Sequence, residues 1–157
     1  MEISDVKAWL NRGRDIQKEL LSLEAQRIET ANRATSITPN YSGVSVSGSK
    51  NPHSIESRLE QMERLNALMG ARIATLADVS GEAFRVIRQV SDNKERAVLI
   101  DRYLNFFTWE QVAASMQCTP TNANRIHRRA LQSVKAVLER QEQAPATVDE
   151  NCTETVL

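Results

Sequence analysis

Apolar residues recur along most of this chain at three- and four-residue steps, the spacing that lines up one face of an α-helix. The first stripe, Ile3, Val6, Leu10, Ile16, Leu20, Leu23 and Ala31, is filled in with charged residues and predicts an amphipathic helix from about Ser4 to Thr35. Gly13 falls on the same stripe and weakens that helix by about 1 kcal/mol relative to alanine. A second stripe comprises Ile55, Leu59, Met62, Leu65, Met69, Ile73, Leu76, Val79, Ala83, Val86 and Val90. Its ten steps span 35 positions, a mean of 3.5, which is the coiled-coil period. Ser54 stands where an N-cap would open this helix, which is expected to run from residue 54 to residue 90. So long a stripe needs the first helix folded back on it, a second subunit, or both. Between the two helices, residues 36–53 hold Pro39 and Pro52 among serines and glycines and form a linker. The alternation Val44-Ser45-Val46 has no partner strand and is assigned to loop.

The pattern changes after Val90. Asp92 followed by Glu95 has the N-cap and N3 chemistry of a capping box and predicts a helix from Asn93 to Leu104. Thr108-Trp109-Glu110-Gln111 is a second box, opening a helix that ends near Met116. Thr119-Pro120 then sets an N-cap beside a proline at the first helical position of a helix reaching Arg140. Three helices with a tight turn before the last make a helix-turn-helix unit over residues 91–140. Val112, Ala113 and Met116 should face Ala123, Ile126, Ala130 and Leu131, with Leu99 and Tyr103 closing the core. The fold class is therefore all-α, a long N-terminal helical hairpin or coiled coil followed by a three-helix helix-turn-helix domain. An aromatic content of only 4% argues against a β-sandwich or barrel core.

Charge distribution sharpens this picture. The formal net charge is zero, but Cys118 to Arg140 holds five basic residues against one acidic. Gln141 to Leu157 holds four acidic residues and no basic one, without periodicity, and is assigned to a disordered acidic tail. Such a tail is expected to compete weakly with DNA for the basic helix. The outward positions of that helix are Thr121, Asn122, Asn124, Arg125, Arg128, Arg129, Gln132 and Lys135, none of them acidic. A merely solvated face usually mixes Glu with Lys. Asn and Gln bond adenine edges, Arg bonds guanine, and further cations meet phosphates, so this face fits double-stranded DNA.

Leu99-x-x-Arg102-Tyr103, Thr108-Trp109-Glu110-Gln111-Val112-Ala113 and Arg125-Ile126-His127-x-x-Ala130-Leu131 together resemble the helix-turn-helix of sigma-factor region 4. The nearest resemblance is to short phage-encoded transcriptional regulators of the ArpU/RinA type, in which a coiled-coil half precedes a sigma-like module. The similarity is best over Ser91 to Leu138, and Asn51-Pro52-His53-Ser54-Ile55-Glu56 also resembles the group. It implies sequence-specific DNA binding in phage transcription, with Thr121, Asn122, Asn124 and Arg125 entering the major groove. Phe106 and Gln117 stand where the group often has glycine, which predicts an altered turn or strain of up to about 1 kcal/mol at a left-handed residue.

The remaining chemistry is sparse. His127 is expected in the core near Tyr103, Trp109 as a packing anchor, and Cys118 in a small apolar slot of the turn. With two histidines and no nucleophile-base grouping, no catalytic site, cofactor or metal is expected. Cys118 and Cys152 are expected to stay reduced in a cytoplasmic protein, that of a bacterial host if the chain is phage-encoded. No apolar run spans a membrane or forms a signal peptide. A homodimer through the N-terminal helices is expected. Two further functional classes fit the same pattern: an adaptor that grips RNA polymerase, and a DNA-packaging subunit of the small-terminase kind.

Overall fold

The computed structural model describes residues 1–35 and 52–143. Most of the linker and nearly all of the acidic tail, with Val44–Val46 and Cys152, lie outside the described residues. The described chain is all-helical: α1 (Ile3–Thr35), α2 (Pro52–Ile87), α3 (Asn93–Leu99), a π-helical turn (Ile100–Leu104), α4 (Trp109–Ser115) and α5 (Pro120–Gln143).

Helices α1 and α2 form an antiparallel hairpin. Its register is marked by Arg12 to Glu82 and Arg72 to Glu19, both 2.9 Å, and by Arg58 Nη1 donating to the Arg33 carbonyl at 3.0 Å. Such exposed pairs are each worth only about 0–1 kcal/mol, so they set alignment more than stability. The stabilising contacts are apolar and lie at the end of the hairpin nearest the C-terminal helices. There Val6, Leu10, Ala83, Val86, Ile87 and Val90 form one buried cluster with Leu99, Tyr103, Ala130, Leu131, Val134, Val137 and Leu138. Gly13 is buried on this seam, yet a Cβ there would meet Leu76 and the Phe106 ring at 3.6–3.7 Å, ordinary contact distances. Close approach does not demand glycine at that position.

Several sequence expectations are corrected. Helix α2 begins at Pro52, not at Ser54, and takes proline as its first residue, where a missing N–H costs no hydrogen bond. It ends at Ile87, three residues before Val90, which is reached by a turn with Val90 N–H donating to the Ile87 carbonyl at 3.1 Å. Arg96 Nη1 then donates to the Val90 and Ser91 carbonyls, closing that end of the helix. The stripe of α2 is only partly covered: Leu65 is buried, but Ile55, Leu59 and Ile73 are 56–61% exposed. Two helices side by side share one seam, and among the described residues no third helix covers the flanks of the far half of the hairpin. Helix α5 continues through Gln141–Gln143, three residues further than expected.

The expected Asn93–Leu104 helix is interrupted at Ile100, where the hydrogen bonding widens to a π turn. Asn105 N–H donates to the Ile100 carbonyl at 2.9 Å, five residues back. The expected helix-turn-helix core divides accordingly. Val98, not Leu99 or Tyr103, packs with Val112, Ala113, Ala123 and Ile126. Leu99, Tyr103, Ala130 and Leu131 pack on the hairpin instead, so α3 and α5 belong to both cores.

Candidate nucleic-acid interface

Helix α5 is placed by its caps. Thr108 and Gln111 complete a reciprocal capping box at the start of α4. After Ser115 the chain closes in a Schellman arrangement, Cys118 N–H donating to the Ala113 carbonyl and Gln117 N–H to the Ala114 carbonyl. Thr119 Oγ1 accepts from Asn122 N–H at 3.2 Å and caps α5, whose first residue is Pro120. The turn is not altered by the missing glycines. Phe106 and Gln117 both stand in the left-handed region, at φ 58° and 51°. For Phe106 the conformation sets its ring beside Gly13, an apolar contact. Gln117 is exposed. Gln117→Gly should therefore raise the unfolding free energy by up to about 1 kcal/mol without changing helical content, as read by thermal and urea melts followed by circular dichroism. Equal or lower stability would show that the turn carries no strain.

One side of α5 is fully engaged. Ala123, Ile126, His127, Ala130, Leu131, Val134, Val137 and Leu138 are buried. Tyr103 Oη and His127 Nε2 lie 2.8 Å apart, and the Trp109 ring meets the imidazole edge-on at 4.9 Å. Burial, with the charges of Lys7 and Arg102 adding to it, pushes His127 down to about 4, and burial pushes Tyr103 up to about 12. Both groups are therefore neutral near pH 7 and share one hydrogen bond, its direction set by the imidazole tautomer.

The eight candidate residues do not form one uniform surface. Thr121, Arg125, Arg128 and Gln132 are exposed and follow one another at four-, three- and four-residue steps on a single face. Arg125 is held by Asn122, whose Oδ1 accepts from Nη2 at 3.0 Å and Nε at 3.3 Å. Asn122 is thus a positioning residue in the free protein, half-buried beside a cleft shared with Asn93, Lys94, Gln117 and Cys118. Asn124 donates to the Pro120 carbonyl at 3.2 Å.

Arg129 and Lys135 are occupied elsewhere. Arg129 Nη2 lies 3.3 Å from Glu95 and 3.7 Å from Asp92. Glu95 is 5% exposed and also accepts from Ser133 Oγ at 2.6 Å. The Glu95 side chain therefore does not complete the predicted box. It fastens α3 to α5, while Asp92 alone caps α3 by accepting from Lys94 and Glu95 N–H. These two backbone donors hold the Asp92 carboxyl below the usual range. Lys135 pairs with Glu139 at 3.7 Å.

Sequence spacing missed a second group of cations beside α5. Arg102 stacks over Trp109 at 4.7 Å and donates to the Phe107 carbonyl at 2.7 Å. Arg14 of α1 donates to that same carbonyl and to the Arg102 carbonyl, both at 3.0 Å. Nothing in the local pattern around Arg14 signals this, because its partners lie about 90 residues away. Among the described residues no three His, Cys, Asp or Glu side chains converge as a metal site, and no helix is long and apolar enough to cross a membrane. Comparison with protein-family models, curated proteins and solved structures finds no match.

Proposed function

We propose that this protein is a sequence-specific regulator of transcription, phage-encoded, that reads the major groove of double-stranded DNA with α5. The observation that carries the proposal is the open row Thr121, Arg125, Arg128 and Gln132. It is acid-free and exposed, on a helix whose opposite side is fixed by the core and whose start is capped by Thr119. Arg125 on its Asn122 support is suited to a guanine edge, and Arg128 to a base or phosphate. The proposed activity is binding, not catalysis: the Tyr103–His127 pair, closest in type to an acid–base couple, is buried and self-satisfied.

The proposed active form is a homodimer through the hairpin. Ile55, Leu59 and Ile73 of α2, with Leu21 and Ile28 of α1, are each at least half exposed, and a second copy would cover them. One experiment addresses both parts: sequencing the DNA retained by the full chain from a random fragment pool. A defined motif repeated as an inverted pair of half-sites is expected. A single unrepeated half-site would remove the dimer. Enrichment of no motif, or only of a packaging-start region, would remove the regulator in favour of an RNA-polymerase adaptor or a terminase-like subunit.

A further inference from the structure

On α1, Lys7, Asn11, Arg14 and Lys18 stand at steps of four, three and four, the same spacing as the open row of α5, and none is acidic. Helix α1 lies against α5 through Val6 and Leu10, which share a cluster with Ala130, Leu131 and Val134. Lys7, next to Val6, is exposed and near enough to His127 for its charge to act on that ring. Two turns on, Arg14 joins Arg102 at the Phe107 carbonyl. Arg102 lies over Trp109, and Trp109 touches His127, the residue before Arg128. A continuous line of contacts thus runs from the first helix to the buried side of α5.

The charge along this line is unbalanced. Among the described residues, the ion pairs involve none of Lys7, Arg14, Arg102 or Arg128. Glu110 is the carboxylate whose charge is felt by Arg102, beyond ion-pair distance. Two guanidiniums share one carbonyl acceptor, and Arg14 Nε is buried with no hydrogen-bond partner. Buried donors in native proteins are nearly always paired, and like charges gathered together favour an anion.

We propose that α1 is part of the nucleic-acid interface, Lys7 and Arg14 forming with Arg102 a track for the phosphodiester backbone beside α5. The hairpin then acts as a positioning arm on the duplex as well as a scaffold. This rests on the DNA-binding function proposed above. A duplex carrying the selected motif and a random duplex, both fluorescently labelled, are titrated with the full chain between about 50 and 200 mM salt, where each lost phosphate contact lowers the slope of log K against log salt by about 0.9. Lys7→Gln should lower the slope by that amount on both duplexes, so that its deficit shrinks about threefold across the range. Its melting temperature should be unchanged, because Lys7 is exposed. Arg14→Gln should also lower the slope, whereas Arg14→Lys, which keeps the charge but not the two-carbonyl clamp, should restore it. Lys18→Gln, whose lysine faces Asp15 at 3.8 Å, serves as the control expected to match the wild type. Wild-type slopes in both glutamine variants would overturn the track and leave the α5 interface standing. A wild-type protein with no salt-dependent DNA binding would overturn both.

Discussion

Arg125→Ala is expected to weaken binding to the selected DNA site by about 1–3 kcal/mol, the usual worth of a base contact. Binding to random DNA should change much less, and the circular dichroism spectrum should not change, because the side chain is exposed and outside both cores. Asn122→Ala should lower specific affinity too, within the same range. Its Oδ1 holds Arg125, so the double variant should lose less than the sum of the single ones. Additive losses would mean that Asn122 touches DNA by itself. Equal losses on specific and random DNA would remove Arg125 from base reading. Arg129→Ala provides the contrast. It leaves the buried Glu95 without its cation, so the protein should lose stability more clearly than it loses sequence discrimination.

Acidification is expected to cost the fold about 3 kcal/mol through His127. The group is 4% exposed and is pushed from its ordinary value of 6.5 down to about 4, first by burial and then by Lys7 and Arg102. The unfolded chain therefore binds a proton between those two values that the folded chain refuses. The stabilising contribution is complete above about pH 6.5 and is lost as pH falls towards about 4, each pKa unit being worth about 1.4 kcal/mol. Protonation would also place a charge on the buried ring that faces Tyr103 Oη at 2.8 Å. The Asp92 carboxyl, lowered by its cap hydrogen bonds, adds loss of the same sign at lower pH. Denaturant melts at half-unit pH steps should show the decline, and His127→Gln, which cannot titrate, should flatten it. A variant whose stability falls as steeply as the wild type across this window would exclude His127 as the cause.

Much of the fold could be read directly from residue order. Helix starts were legible where the capping chemistry is local: Asp92, Thr108 and Thr119 each accept from backbone N–H groups two or three residues ahead. The apolar stripes located the long helices, since their 3.5–3.6 period depends on nothing distant. The open row of α5 was legible for the same reason. What the order of residues left open was partnership. Asp92 and Glu95 form a capping-box pair in sequence, yet the Glu95 side chain turns to Ser133 and Arg129, about 35–40 residues away. Arg129 looks no different from Arg128 along the chain, but only Arg128 lacks a carboxylate partner among the described residues.

The π turn begins at Ile100, directly after Leu99, where the local pattern predicts an unbroken α-helix. Tertiary packing also decided the assignment of Leu99 and Tyr103 to the hairpin core. The linkage of Arg14 to Arg102 belongs to the same class. Propensity, capping and periodicity act over four or five residues, so they are written in the local sequence. Ion pairs, shared acceptors and burial depend on which surfaces meet, and no short window of sequence contains both sides of that contact.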